Sequence, residues 1–207
     1  QVEKFFFERD LELVNVGTSR EYLAEFKKEK KIKIILLAAS DIPLEIKRGN
    51  LDIGITGRDL VFEKILGWQK WILELKQLDF GNADLVLGVP QFWIDVNHLD
   101  DLEEIAFFFR SKHSRCLKIA TKYQNITREF LIDKQVTNFE IVESQGATEG
   151  AIVNGIADVV VDISSTGETL RQNKLKTIDE GTLLRSFASI FVNRRYYKNN
   201  GSNLELK

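Results

Sequence analysis

The sequence is poor in the residues that build disulfides and metal centres. Its 207 residues include one cysteine, two histidines and no methionine. Cys116 alone cannot form an internal disulfide, which favours a reducing setting such as the cytoplasm. One cysteine and two histidines that are distant in the sequence cannot build a structural metal site.

No charge of one sign dominates the chain, and no apolar run is long enough to cross a membrane. Lys and Arg number 29 against 31 Asp and Glu, which leaves a net charge of −2. This balance argues against a broad basic field of the kind that binds nucleic acid, so local groups must hold any anion. The start is not signal-like. We expect a globular cytoplasmic protein without a nucleic-acid or membrane partner.

Three common functional motifs are absent. The sequence contains neither G-x-x-x-x-G-K-[ST] nor G-x-G-x-x-G, which argues against a Walker phosphate loop and a dinucleotide-binding fingerprint. It also lacks the G-x-S-x-G nucleophile motif.

The chain opens at Gln1 inside a predicted helix, with no strand before it. We therefore expect residues ahead of Gln1 in the natural protein, although deliberate trimming is an open alternative.

Short apolar segments that end in small or polar residues alternate with helical ones, which predicts an α/β fold. With 43% hydrophobic residues, the chain falls between one large domain and two small lobes. The part up to residue 48 is interpreted as two βα units. Strands are predicted at residues 12–16, 33–37, 51–56, 73–80, 84–89, 117–120, 139–142, 159–161, 175–179 and 185–195. The main helices are predicted at residues 2–9, 41–48, 58–65, 100–110, 125–134 and 168–172.

Residues 157–170 carry the strongest functional signal. Val159 to Val161 have the composition of a strand buried on both faces, and a polar turn and a helix start follow. Such a turn directs N–H groups and hydroxyls at one point, as a phosphate cradle does. Ordinary helix capping is the alternative, but one cap needs one hydroxyl and four lie within six residues. Asp162 could accept sugar hydroxyls.

Several stretches together resemble a known family. They are residues 52–60 (DIGITGRDL), 117–123 (LKIATKY) and 158–170 (DVVVDISSTGETL), with Leu78 to Gly81, Val89-Pro90 and Gly146 to Glu149 as further matches. In this order and spacing they resemble the ATP phosphoribosyltransferases, the first enzymes of histidine biosynthesis. The resemblance covers nearly the whole chain.

The resemblance implies two α/β lobes like those of a type II periplasmic binding protein, with the active site in the cleft between them. The first lobe would hold residues 1–88 and 178–207, and the second residues 89–177. The chain resembles the family's short form, which lacks a C-terminal histidine-binding domain. Its implied partners are ATP, phosphoribosyl pyrophosphate and a regulatory subunit resembling histidyl-tRNA synthetase, in a hetero-oligomer built on a homodimer.

The resemblance also implies roles for individual residues. The catalytic candidate is Arg20, which would face the nucleotide and the departing pyrophosphate. The candidates for phosphoribosyl pyrophosphate are Glu149, Asp162, Ser164, Ser165, Thr166, Gly167, Glu168 and Thr169, although Glu149 equally suits a helix start. The candidates for ATP are Arg20, Arg58, Lys122 and Tyr123, and the expected cofactor is Mg²⁺ carried by the substrate.

Two departures from the family pattern are visible. The family opens with a strand and a Pro-Ser-Lys-Gly-Arg turn that contacts substrate, and this chain begins beyond that point. Some short forms also have an arginine where this chain has Ala38.

The implied reaction joins N1 of ATP to C1 of phosphoribosyl pyrophosphate and releases pyrophosphate. A ring nitrogen of the substrate is the nucleophile, which fits a chain whose histidines and cysteine are isolated. Two alternatives stay open at this point. One is a small-molecule-binding or effector-sensing two-lobed protein without catalysis, because the same architecture serves both. The other is a subunit that is inactive until its partner binds.

Overall fold

The computed structural model describes residues 1–15, 23–144, 148 and 150–200. The helices are α1 (Val2–Phe7), α2 (Ile42–Arg48), α3 (Arg58–Lys64), α4 (Leu99–His113), α5 (Gln124–Asp133), α6 (Gly150–Val153), α7 (Glu168–Gln172) and α8 (Arg194–Asn200). The strands are β1 (Leu13–Asn15), β2 (Leu23–Phe26), β3 (Lys33–Ile35), β4 (Ile53–Gly57), β5 (Ile72–Gln77), β6 (Ala83–Pro90), β7 (Leu117–Thr121), β8 (Phe139–Glu143), β9 (Val159–Ser164), β10 (Leu175–Ser186) and β11 (Ala188–Asn193).

These strands form three sheets. The large sheet has the order β10-β6-β9-β7-β8, the small sheet the order β4-β11-β5, and the N-terminal strands the order β1-β2-β3. In the large sheet β7 runs parallel to β8 and β9, whereas β6 runs antiparallel to β9 and β10. In the small sheet β11 lies antiparallel between its two neighbours. Helices alternate with most of the strands, which confirms the predicted α/β class.

The core of the large sheet forms around β9, whose apolar run is buried on both faces. Val159 and Val161 pack in one cluster with Leu102 of α4 and Leu131 of α5. Val160 belongs to a second cluster on the other face, together with side chains from α6, α7 and β10. All three valines are fully shielded from solvent. The prediction that Val159 to Val161 form a doubly buried strand is therefore confirmed.

Local signals set both ends of α2. Pro43 lies in the first turn of α2, where its missing N–H breaks no helical hydrogen bond. Gly49 follows the last turn with φ +84°, a conformation that glycine adopts without strain. Along α4, Leu102 and Ala106 lie four residues apart on one face and are fully buried. No helix within the described ranges is both long and apolar enough to cross a membrane.

The chain passes between the small and large sheets at two neighbouring points. Residues 78–82 lead from β5 to β6, and Phe187 leads from β10 to β11. Leu78 donates its N–H to the carbonyl of Ala188 at 2.9 Å, and Ala188 donates to the carbonyl of Phe80 at 3.0 Å. The two connections are thus bonded to each other. The predicted lobe boundaries, at residues 88 and 178, fall within β6 and β10, and this division stays a prediction.

Two predicted elements differ from the structure. The first predicted βα unit is wrong because Leu23–Phe26 is a strand that pairs antiparallel with both β1 and β3. Its side chains alternate, with Ala24 and Phe26 buried. The predicted strand at residues 185–195 is interrupted at Phe187, and its last two residues begin α8. Every residue of β11 is buried, since the strand is central in the small sheet.

Candidate active site

The candidate phosphate loop connects β9 to α7 at the surface of the large sheet. Ser165 and Thr166 are exposed, and Gly167 has φ +73° with open space where a Cβ would lie. Gly167 donates its N–H to Ser164 Oγ at 2.9 Å, and Glu168 donates to Thr166 Oγ1 at 3.3 Å. Two of the four hydroxyls therefore bond to the backbone of their own turn, although α7 begins at Gly167 without a side-chain cap.

The remaining predicted members of this loop are turned toward solvent or along α7. Ser165 and Thr169 are exposed. Glu168 pairs with Arg171 at 2.9 Å and accepts from Gln172 at 3.2 Å. The carboxylate of Glu168 thus lies along its own helix, whereas the hydroxyls of Ser165 and Thr169 are accessible to a ligand.

Asp162 and Lys122 come together at the carboxyl ends of neighbouring parallel strands. Asp162 lies on β9, and Lys122 follows β7 directly. Asp162 Oδ1 lies 3.7 Å from Lys122 Nζ and accepts the N–H of Ile163 at 2.8 Å. The Lys122 side chain is about half exposed, so water screens this pair and the ammonium can exchange partners. Ligands of open α/β sheets bind at such carboxyl ends.

Tyr123, the residue after Lys122, is buried and points to the small sheet. Its N–H donates to Thr121 Oγ1 at 2.9 Å, and its hydroxyl donates to Asp59 Oδ2 at 3.1 Å. Burial and the nearby negative charge of Asp59 raise the pKa of Tyr123 far above its ordinary value. Asp59 Oδ1 also accepts the hydroxyl of Ser186 at 2.6 Å. Tyr123 therefore joins the two sides of the molecule through its hydroxyl.

A second contact, between α3 and α5, holds the start of α5. The Glu63 carboxylate accepts the N–H groups of Asn125 and Ile126 at 3.0–3.1 Å. Asn125 Nδ2 returns a hydrogen bond to the Glu63 carbonyl at 2.9 Å. Burial raises the pKa of Glu63, although these N–H donors partly offset the shift.

The patterns used for site prediction missed Asp59, Glu63, Ser186 and Asn125. Asp59 and Glu63 are four residues apart and share one face of α3, a spacing that could have indicated a common partner. Ser186 and Asn125 carry no comparable signal in the sequence.

Arg58 lies at the carboxyl end of β4, next to Asp59. Its guanidinium group lies 4.9 Å from the ring centroid of Phe62 and 5.4 Å from that of Phe187. Arg58 Nε is 3.6 Å from Glu74 Oε2 and makes no hydrogen bond to any residue in the described ranges. Arg58 is thus held by aromatic contacts and one ion pair, with about one third of its side chain exposed.

Comparison with known proteins places these residues in a family. A sequence model of ATP phosphoribosyltransferase matches residues 38–206. The chain belongs to the ATP phosphoribosyltransferase family. Enzymes of this family carry out the first step of histidine biosynthesis, so membership favours catalysis over a non-catalytic solute binder.

Individual ATP phosphoribosyltransferases align over most of the chain. The enzyme of Cereibacter sphaeroides is 43% identical over 191 residues, which are 92% of this chain and 81% of that protein. The enzyme of Chelativorans is 45% identical over 177 residues, 85% of this chain and 77% of its own. The enzyme of a Bradyrhizobium species is 43% identical over 192 residues, but the chain spans only 59% of its length.

Solved structures support the two-lobed fold. A chain of the ATP phosphoribosyl transferase (HisG:HisZ) complex from Thermotoga maritima has a TM-score of 0.73 and 22% identity, over 98% of this chain and 86% of that one. A putative periplasmic sulfonate-binding protein, SsuA from Methylobacillus flagellatus, has a TM-score of 0.50 and 16% identity, over 91% of this chain and 61% of that one. These likenesses confirm the type II periplasmic-binding-protein-like fold.

Not every residue that the family resemblance singles out can be placed. Arg20, the catalytic candidate, and Glu149, a candidate ligand of phosphoribosyl pyrophosphate, lie outside the described residues. Among the candidates that are described, the structure brings together Lys122 and Asp162, beside the β9–α7 loop. Tyr123 lies next to Lys122 but is directed at Asp59, and Arg58 is directed at Glu74.

Proposed function

We propose that the chain transfers the phosphoribosyl group of phosphoribosyl pyrophosphate to N1 of ATP. A bond forms between N1 of the adenine ring and C1 of the ribose, with inversion at C1. The bond from C1 to the pyrophosphate oxygen breaks, and pyrophosphate leaves. The substrate's own nitrogen is the nucleophile, so the protein must supply alignment and charge neutralisation.

The observation that carries this proposal is the meeting of Lys122 and Asp162 beside the exposed hydroxyl loop. The loop offers Ser165 and Thr169 to a 5′-phosphate, and Gly167 leaves room for a phosphate to approach the backbone. Asp162 lies on β9 next to Ile163, close to where the loop begins. Its carboxylate can accept hydrogen bonds from ribose hydroxyls. In this proposal Lys122 exchanges its loose contact with Asp162 for a phosphate oxygen of either substrate.

Arginines neutralise the remaining negative charge of the two polyanionic substrates in this proposal. About one third of the Arg58 side chain is exposed, which leaves part of this arginine accessible to a nucleotide. The role of Arg20 at the departing pyrophosphate rests on the family resemblance. Each well-placed donor of this kind contributes roughly 3–4 kcal/mol to transition-state stabilisation in enzymes.

Magnesium would enter with the pyrophosphate group. Within the described ranges, no group of three or more His, Cys, Asp or Glu side chains is arranged to hold a metal ion. The Asp162 carboxylate, on the strand that leads into the loop, suits one ligand position of a substrate-borne ion. Such an ion would neutralise charge on the leaving group.

A regulatory subunit is the proposed protein partner. The similar chain from Thermotoga maritima belongs to a complex named HisG:HisZ, and its fold likeness supports a comparable hetero-oligomer here. A homodimer within that assembly and a cytoplasmic location stay predictions from the sequence.

The test of the proposed site compares two lysines of the same lobe. Lys122→Met should lower kcat/KM for phosphoribosyl-ATP formation by about 10²-fold, because a charge-neutralising donor is lost from the transition state. Lys134→Met is the matched control, since Lys134 is exposed at the far end of α5. Formation of phosphoribosyl-ATP is followed by absorbance with the regulatory subunit present. Equal turnover of both variants and wild type would refute the assignment of Lys122.

A further inference from the structure

A second cavity lies at the end of the small sheet that faces away from the candidate active site. On β11, Ala188 pairs with Gly57 beside Arg58, whereas Val192 pairs with Ile53 at the opposite end. The five residue-to-residue steps from Ala188 to Asn193 place the cavity roughly 16 Å from the active-site end. Its volume is about 470 Å³, within the range of small-molecule sites.

The cavity is lined by an unusual concentration of positive charge. Six cationic side chains line it, against the single carboxylate of Asp52: Lys47, Arg48, Lys70, Arg194, Arg195 and Lys198. Arg48 pairs with Glu45 at 2.7 Å. The other five form no ion pair with any carboxylate in the described part of the chain. The whole chain has a net charge of −2, so this cluster is not a by-product of a basic composition.

Arg194 carries an unsatisfied donor in the wall of this cavity. Its Nε is shielded from solvent and has no hydrogen-bond partner among the described residues. The backbone of Arg194 is fixed, since its N–H donates to the carbonyl of Trp71 at 2.9 Å. Shielded polar groups in folded proteins almost always have a partner.

The cavity wall is rigid at two further points. Asn193 is buried; its Nδ2 donates to the carbonyl of Ile46 at 2.7 Å, and its Oδ1 accepts the N–H groups of Arg195 and Tyr196. Lys47 Nζ lies 5.4 Å from the ring centroid of Trp71. Neither contact depends on a ligand, so Asn193 and Lys47 are held in place without one.

We propose that this cavity binds a polyphosphate anion at a site separate from the catalytic cleft. Five cations that form no ion pair with any described residue match an anion with several charged oxygens better than a single carboxylate. Three of the lining residues are arginines, whose forked N–H groups suit phosphate oxygens. The proposal stands independently of the catalytic function, because no residue of the β9–α7 loop takes part in it.

The test uses inorganic tripolyphosphate as the probe and the indole N–H signals of the three tryptophans in an NMR titration. The Trp71→Phe variant identifies the Trp71 signal. That signal should shift saturably with tripolyphosphate, and Lys198→Glu should weaken the apparent affinity at least tenfold. Lys112→Glu, an equal charge reversal on α4, should leave the affinity unchanged. Gly167→Val should also leave it unchanged, which keeps this site distinguishable from the cleft.

Three results would overturn the proposal. The Trp71 signal could stay fixed at millimolar tripolyphosphate, or Lys198→Glu could bind as tightly as wild type. A hexaglutamate peptide could saturate the Trp71 shift at lower concentration than tripolyphosphate, which would assign the cavity to an acidic polypeptide instead.

Discussion

The hydroxyl of Tyr123 ties the large-sheet side of the molecule to α3. It donates to Asp59, whose second carboxylate oxygen accepts from Ser186. The sequence places Tyr123 correctly at the end of a strand, beside Lys122. It does not indicate that the side chain turns inward, because its partner Asp59 lies 64 residues away in the sequence. Burial and a distant carboxylate, rather than local pattern, decide where this hydroxyl points.

Replacing Tyr123 with phenylalanine removes one hydrogen bond to a shielded carboxylate. We expect Tyr123→Phe to lower the free energy of unfolding by about 1.5–3 kcal/mol, the usual value for a hydrogen bond to a charged group. Urea unfolding at pH 7 measures the loss. Tyr197→Phe is the control, since Tyr197 is exposed and should change stability by less than about 0.5 kcal/mol. A raised KM for ATP without any loss of stability would contradict this structural role.

The raised pKa of Tyr123 predicts a loss of stability in alkaline solution. An unfolded tyrosine deprotonates near pH 10, whereas folded Tyr123 keeps its proton to higher pH. The stabilisation is therefore complete below about pH 10, and it falls by about 1.4 kcal/mol per pH unit above it. Unfolding of wild type and Tyr123→Phe at pH 8 and pH 11 measures this effect. A difference between the two proteins that stays constant across that range would be inconsistent with the account.

Gly167 allows a controlled test of the phosphate loop, because Gly155 has a similar backbone conformation and similar free space. Gly167 and Gly155 have φ of +73° and +66°, and a Cβ would meet nothing within 4 Å at either position. Valine should therefore strain both sites equally, by roughly 1–3 kcal/mol. We expect Gly167→Val to abolish binding of phosphoribosyl pyrophosphate in calorimetry, while Gly155→Val binds normally. Equal affinity in both variants would rule out the loop as the phosphate site.

Among the elements, α3 and α5 define the contact between the two sides of the cleft. Glu63 of α3 holds two N–H groups at the start of α5, and Asn125 returns a hydrogen bond. Both helices are predicted from the sequence, as are most strands of the large sheet. Their mutual contact could not be predicted, because periodicity reports which face of a helix is buried and not which element covers it.

Glu63→Leu should loosen this contact. It removes the acceptor of two N–H groups, so we expect a loss of about 1–3 kcal/mol in the free energy of unfolding. Hydrogen exchange at Asn125 and Ile126 should accelerate, since both amides lose their partner. Glu129→Leu, a change at an exposed position of α5, should leave both quantities within error of wild type. Unaltered protection of the two amides in Glu63→Leu would show that another group holds them.

Other elements show where sequence patterns fail. β2 alternates buried and exposed residues over only four positions, too few to separate a strand from a helix by period alone. The predicted strand at residues 185–195 combined the end of β10, the crossing residue Phe187, all of β11 and the first turn of α8. An alternating run of residues does not reveal that it passes from one sheet to another.

At the scale of the whole molecule, the chain crosses between two sheets at segments that are hydrogen-bonded to each other. The order β10-β6-β9-β7-β8 joins strands that are far apart in the sequence, so local pattern could not predict it. Family resemblance supplied the two-lobed fold, and membership of the ATP phosphoribosyltransferases now supports it. The paired crossings suit a cleft that closes by bending at one place.

The central claim is that this chain supplies the catalytic site for phosphoribosyl transfer to ATP. The most direct test mixes the protein and its regulatory subunit with ATP and phosphoribosyl pyrophosphate, and quantifies both products. We predict that phosphoribosyl-ATP and pyrophosphate form in equal amounts, that both substrates are required, and that Gly167→Val abolishes formation while Gly155→Val does not. Pyrophosphate release without phosphoribosyl-ATP, or full activity of Gly167→Val, would contradict the account.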